Sequence, residues 1–435
     1  MKAILSRILA TAVFAVACCA AVCGIAIAQN APKLTLHDAE QIAIQNHPQI
    51  QAALNMATAA KAQVTQQRSA YYPAANGSVT AVDAENNSRI AAGALNNPII
   101  YERESNGVMV NQLVTDFGRT HQLVKSANLH AKAQQENVDT TRADVLLAVD
   151  QAYFGVLKAQ AVLNVARETV KERQLVSDQT TQLEQNKMKS GLDVDFANVD
   201  LNQAQILLVQ SQNDLDAAIA QLADALGYGE QRAFELEQEP LPPAPPTDFA
   251  ALLELAMNNR PELIGMRFDA ASAHAYATAE RDLWFPTISA AGAAGLTPTG
   301  APQLAPRYAA GGVNVNIPIF NGHLFGALRT QAKAQAQAND QYVRELQNNI
   351  VRDVRTAWLN ANSAFLKIAL TDQLLTNAQQ ALDLAQARYK LGLSSIIELS
   401  QAQLNQTQAE LQSADAKFDY QATMSNLRFQ TGQLQ

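Results

Sequence analysis

The chain has 435 residues, a net charge of −8 and only 6% aromatic residues, while Ala, Gln, Asn and Leu dominate. With no basic stripe, that acidic balance excludes nucleic acid as a partner. So few aromatics argue for long helices packed through small residues rather than a thick globular core.

Lys2 and Arg7 precede an almost unbroken apolar run from Ile8 to Ile27, which closes at Ala26-Ile27-Ala28 ahead of Gln29. This is the layout of a cleaved export signal, so residues 1–28 are expected to be removed. Two alternatives stay open: a transmembrane anchor, and acylation of Cys18 after Ala15-Val16-Ala17. Against acylation, position 15 is not leucine and the sequence after Cys18 stays apolar. All three cysteines, Cys18, Cys19 and Cys23, lie in this segment. Disulfides and cysteine chemistry are therefore not expected in the mature chain.

The rest is internally duplicated. Asn46-His47-Pro48 matches Asn259-Arg260-Pro261, and Tyr71-Tyr72-Pro73 matches Trp284-Phe285-Pro286, both at a spacing of 213 residues. Further on, Val108-Met109-Val110-Asn111 matches Val313-Asn314-Val315-Asn316 at a spacing of 205. Val149-Asp150-Gln151-Ala152-Tyr153 and Val354-Arg355-Thr356-Ala357-Trp358 keep that value. The repeats are expected at 29–239 and 248–435, joined by a proline-rich linker over 240–247 that cannot be helical.

Each repeat reads as a short helix, a helix opened by Pro48 or Pro261, two strands, a very long helix and a final helix. The strands are expected at 74–84 and 106–116, then at 287–296 and 308–320. The long helices are expected at 118–189 and 322–390, each about 70 residues or on the order of 100 Å. The final helices are expected at 193–226 and 394–431. Val313, Val315, Ile317 and Ile319 alternate with Asn314 and Asn316, the period of a two-faced strand. Val108, Val110 and Val114 alternate less cleanly. Each strand has the length of a tilted transmembrane β-strand. Four strands cannot close a membrane barrel, and open edges in hydrocarbon are prohibitively costly. If the strands cross a membrane, several chains must pool them. A secreted structural protein on a coiled-coil stalk is the reading from another class.

His37, His47, His121, His130, His274 and His323 lack metal-ligand spacing. Asp193, Asp195 and Asp200 read as the acidic start of a helix rather than a calcium loop. No catalytic motif and no cofactor are expected, and the chain does not read as an enzyme.

The order of these parts resembles the TolC / outer-membrane efflux protein family across essentially the whole mature chain. The resemblance rests on the Asn-x-Pro openings, the Tyr72-Pro73 and Phe285-Pro286 junctions, and the strand exits Thr115-Asp116-Phe117-Gly118 and Pro318-Ile319-Phe320-Asn321-Gly322. It also rests on Arg388-Tyr389-Lys390-Leu391-Gly392-Leu393-Ser394. It implies a mainly α fold with membrane β: a homotrimer whose twelve-stranded outer-membrane barrel, set in lipid, continues into a twelve-helix periplasmic barrel. It further implies a passive exit duct of a tripartite efflux system. A periplasmic adaptor would dock at the tip, at Gly191, Leu192, Gly392 and Leu393, and an inner-membrane pump of the resistance-nodulation-division or ABC type would deliver the cargo. Type I protein secretion is the alternative duty. The family's gate carries over in part: Glu398 falls at the first carboxylate position and Tyr389 at the tyrosine. Gln401 and Ser394 replace the second carboxylate and the basic residue. A ring of three Glu398 carboxylates would favour cations. The other reading of Glu398 is a solvated helix-surface side chain.

Overall fold

The computed structural model describes residues 33–82, 103–230, 234–297 and 305–434. The expected export signal, Cys18 and most of the loops between paired strands lie outside the described residues. The first repeat runs α1 (Leu36–Asn46), α2 (Pro48–Arg68), β1 (Ala74–Val82), β2 (Arg103–Thr115), α3 (Arg119–Gln185) and α4 (Gly191–Ala225). The second runs α5 (Phe249–Asn259), α6 (Pro261–Arg281), β3 (Thr287–Leu296), β4 (Arg307–Asn316), α7 (Leu324–Lys390) and α8 (Ile396–Gln430). Matched helices have equal lengths: 11 residues in α1 and α5, 21 in α2 and α6, 67 in α3 and α7, 35 in α4 and α8. The duplication inferred from sequence is thus a duplication of structure.

Local chemistry explains the helix starts. Pro48 and Pro261 occupy first helical positions, where no partner is needed for the missing N–H. Asp248 caps α5 by accepting from the Ala250 and Ala251 amides. Ser190 and Asp193 form a reciprocal capping box at α4. Burial is dominated by alanine along the helix contacts, with Ala53 and Ala57 against Val138, and Ala60 and Val64 against Ala131. Both α2 and α4 pack along α3, as α6 and α8 pack along α7. Short helices stacked end to end therefore keep pace with a long one.

Several element ends differ from the sequence expectation. β4 stops at Asn316 rather than 320, leaving Ile317 and Ile319 outside the strand; Pro318 has no N–H to continue the ladder. α3 stops at Gln185 rather than 189, because Lys187 adopts a left-handed conformation (φ 60°) that ends the helix. α7 begins at Leu324, after a left-handed His323. α4 begins two residues earlier than expected, at Gly191, and α8 two residues later, at Ile396.

The proline-rich 240–247 segment is held against the helices by side-chain hydrogen bonds. The Trp358 indole donates to the Pro246 carbonyl at 2.8 Å, the Tyr420 hydroxyl to the Pro243 carbonyl, and the Gln421 amide to the Glu239 carbonyl at 2.9 Å. In the first repeat Tyr153, which matches Trp358, places its hydroxyl 2.9 Å from the Leu34 carbonyl and 2.6 Å from that of Glu237. Two apolar clusters lie beneath these contacts. One joins Ala39, Ile50, Val149, Leu222 and Leu226, the other Leu252, Leu263, Ile350, Val354 and Met424.

Inside this belt Asp150 of α3 is 1% exposed, with Glu40 of α1 and Ser425 and Arg428 of α8 as neighbours. Burial pushes its carboxyl up to about 7, against the hydrogen bond from Ser425, and burial raises Glu40 as well. Between the unfolded value near 3.8 and the folded value near 7, the folded state holds a proton that the unfolded chain has lost. Stability at this group therefore falls as pH rises through that window. Asp150→Asn is expected to stabilise the fold in detergent at pH 8, by on the order of a few kcal/mol, seen as a higher thermal midpoint, and to leave that midpoint nearly unchanged at pH 4. An equal gain at both pH values would show that the carboxyl is not the cause.

Candidate functional site

Two regions carry the candidate function, one at each end of the long helices. At the first, the strands form a single antiparallel sheet in the order β1-β2-β3-β4. Register places Ala75, Gly77 and Val79 on one face with Val108, Val110, Ile288, Ala290, Leu296, Val313 and Val315. The other face carries Asn76, Ser78, Asn111, Ser289, Asn314 and Asn316. Glu104, Asn106, Gln112 and Arg307 depart from the apolar face, and Val82, Met109 and Leu113 from the polar one. The register shifts between Leu113 and Thr115, a bulge near the helix-side end of β2. On the polar face the Tyr308 ring lies across Gly107 and Gly295, where a Cβ would have no room. Exposed Tyr71, Tyr72, Phe117, Trp284, Phe285 and Phe320 gather at the sheet end nearest the helices. That is the position of an interfacial aromatic girdle. β1 and β4 are both unpaired edges.

At the far end, two helical hairpins meet. The α7–α8 turn is a Schellman closure: the Leu393 amide donates to the Arg388 carbonyl at 2.8 Å and the Gly392 amide to the Tyr389 carbonyl at 3.0 Å. Gly392 has φ 72°, the conformation glycine tolerates best. The α3–α4 turn repeats this geometry with Met188 and Lys187 donating to Leu183 and Glu184. Its left-handed residue is Lys187, which lies 205 residues before Gly392. Gly191, paired with Gly392 in the sequence reading, is instead the first residue of α4. Gly392 therefore closes a helix C-terminus, and Gly191 does not. Leu192 and Leu393 are exposed at the two tips.

The expected gate residues all lie on the α7–α8 hairpin but do not form one network. Tyr389 is 8% exposed, its hydroxyl has no partner among the described residues, and the Lys189 ammonium lies 4.0 Å from its ring centroid. The Ser394 hydroxyl is buried without a partner among the described residues. Gln401 donates to Asn405 along its own helix at 2.9 Å. Glu398 is the third residue of α8, its amide donating to the Ser395 hydroxyl at 3.4 Å. Its carboxylate does not stand free: Arg388 Nε lies 3.2 Å away.

Sequence reasoning missed both cations. Lys189 reaches Tyr389 from the other hairpin, and nothing in the linear sequence marks that contact. Arg388 was legible in principle, since residues flanking a five-residue helical turn come side by side. Leu382, Ala385, Ile396 and Leu399 pack beside Tyr389, with Val176 of α3 against them. A groove of about 760 Å³ runs between the hairpins, with Leu175, Leu183, Met188 and the buried Gln403 among its walls. Deeper in the same seam, Arg173 of α3 is buried and reaches the Thr407 hydroxyl of α8 at 3.3 Å. Burial lowers its basicity and raises the Glu410 carboxyl nearby.

Comparison with known proteins places these features in context. Residues 40–228 and 252–433 match the family model described as outer membrane efflux protein, one match per repeat. Outer membrane protein TolC of Escherichia coli is 25% identical over 357 residues, covering 76% of this chain and 72% of TolC. Alkaline protease secretion protein AprF of Pseudomonas aeruginosa is 22% identical over 93% of this chain and 86% of its own. The fold is shared with a crystal structure of a membrane protein from Pseudomonas aeruginosa. Its TM-score is 0.80 at 21% identity, covering 91% of this chain and 93% of that one.

The two tip turns differ by one testable detail. A non-glycine residue in the left-handed conformation costs roughly 1 kcal/mol, about fivefold in a local opening equilibrium. Lys187→Gly should slow amide exchange at Met188 by that factor, and Gly392→Ala should speed it at Leu393. Equal exchange in variant and parent would refute the assigned turn geometry.

Proposed function

The chain belongs to the outer membrane efflux protein family, and from that membership we propose that three copies form its exit duct, with the hairpin tips as the periplasmic entrance. Members of this family are outer-membrane channels rather than enzymes, and this chain is an outer-membrane efflux duct. The carrying observation for the trimer is the two-faced sheet with both edges unpaired. Joining β4 of one copy to the β1 of the next satisfies every edge, with no open ladder in lipid. Two copies would give eight strands, an interior that side chains fill. Three give twelve and leave a lumen lined by the Asn- and Ser-bearing face, with the valines towards lipid.

The helices support the same closure. Across the lower barrel the contacts run α4, α3, α8, α7, so α4 and α7 are the flanks of the protomer. Both flanks expose apolar stripes. Leu192, Phe196, Val199, Ile206 and Val209 recur on α4, and Leu359, Leu366, Leu370, Leu374 and Leu384 on α7. Apart from the ten residues between Leu374 and Leu384, their steps are of three, four or seven residues, which suit a helix-to-helix seam. Such stripes rarely stay in water on a monomer.

As the outer-membrane part of an efflux system, the duct works with an adaptor and an inner-membrane pump. We place the adaptor at the hairpin tips, where Leu192, Gly392 and Leu393 are presented. Drug or small-solute efflux is the first reading of its cargo. The long match to AprF favours protein secretion as the second. Outer-membrane fractions run without heating should show a trimer that heat converts to monomer. Leu366→Glu combined with Leu370→Glu should abolish that trimer and sensitise a strain that depends on this duct. Recovery of the parent protein as a soluble monomer would sink the reading.

A further inference from the structure

Glu398 stands in the first turn of α8 and Arg388 in the last turn of α7, on opposite arms of one hairpin. Arg388 Nε is 3.2 Å from Glu398 Oε1, and a second guanidinium nitrogen lies 3.5 Å from the Leu393 carbonyl within the turn. Each side chain is about half exposed, at 48% and 46%. The matching positions of the first repeat, 205 residues earlier, hold Leu183 and Asp193. Asp193 turns back onto the Ser190 amide and hydroxyl. The cross-arm ion pair therefore belongs to one hairpin only. Lys189, the other cation placed by a contact at the tip, sits over the Tyr389 ring instead.

The geometry points to Arg388 as the residue that sets the charge of the duct's entrance. By pairing with Glu398 inside each protomer, it gives the trimer three neutral ion pairs in place of a ring of free carboxylates. This rests on the trimer and on the hairpin tips lining its mouth. The field of a close ion pair falls off faster with distance than that of a lone charge, and salt screens what remains. The pair itself accordingly gives the entrance little preference between cations and anions. Either partner alone would impose a sign. An exposed ion pair adds little to stability, so removing one partner changes the charge at the mouth more than it loosens the hairpin.

The test is the reversal potential of purified full-length trimers in planar bilayers under a KCl gradient, with trimer content checked on unheated gels. Arg388→Gln should shift selectivity towards cations and Glu398→Gln towards anions. Three unit charges on the order of 8 Å from the axis in screened water change local ion concentration roughly threefold. Arg388→Lys and the double variant Arg388→Gln/Glu398→Gln should stay near the parent value. A shift in Glu398→Gln with none in Arg388→Gln would overturn the neutralising role and leave the entrance where it was placed. No shift in any intact trimer would overturn both, because the hairpin would then lie off the ion path.

Discussion

A β-sheet edge placed in hydrocarbon exposes a row of N–H and C=O groups that no water can satisfy, each at a cost of several kcal/mol. Both edges of this four-stranded sheet, β1 and β4, are in that condition within one chain. Much else follows from the need to close them. The sheet has to be two-faced, because closure puts one side against lipid and the other against the lumen. Its proline-flanked ends have to hand over to helices at the interface, where Tyr72, Phe117 and Phe285 lie exposed. The helices inherit the same circular arrangement, and so expose apolar flanks on α4 and α7 that a single chain has no means to cover.

Much of this fold was legible because duplication supplies its own control. A pattern seen at Tyr72-Pro73 and again at Phe285-Pro286 is unlike a chance match, and a spacing of 213 residues ahead of the strands and 205 from β2 and β4 onward fixes which elements correspond. Strand positions were read well where alternation was clean, as in β4 through Asn316. The reading overshot at Ile317 and Ile319, which keep the alternation although Pro318 ends the ladder. Periodicity reports which side chains would share a face; it does not report whether the backbone can still donate. The end of α3 failed for a related reason. Lys187 gives no composition signal for a left-handed residue, and Gly191, which does, is helical.

The tip was legible only one residue at a time. Alignment on Gly392 brought out Glu398 and Tyr389, and both lie on the hairpin at the tip. What surrounds them depends on two contacts, one between segments far apart in sequence and one across a turn. Lys189 meets Tyr389 across the seam between hairpins, at a separation no periodicity encodes. Arg388 meets Glu398 because a five-residue turn lays two helix ends side by side. The change is one of electrostatic sign as well as of geometry, since a carboxylate read alone is an anion and the same carboxylate beside a guanidinium is close to neutral.

The character of the packing also differs between seams. Within each repeat, helices meet through alanine and leucine, contacts that lose apolar burial if parted. Between the hairpins, the α3–α8 seam is bridged by polar and cationic contacts, Lys158 to Asp415 and Asp419 and Arg173 to Thr407, with Lys189 over Tyr389 of α7 beyond its end; Val176 near the tip and Phe418 and Ala422 further up are its apolar exceptions. Polar groups that separate regain water, which offsets much of what they lose. Apolar surfaces have no such compensation. A motion that widens the tip therefore costs least if it parts α3 from α8 and keeps each hairpin whole. Arg388 and Glu398 would then travel together, and the entrance would keep the same charge whether narrow or wide.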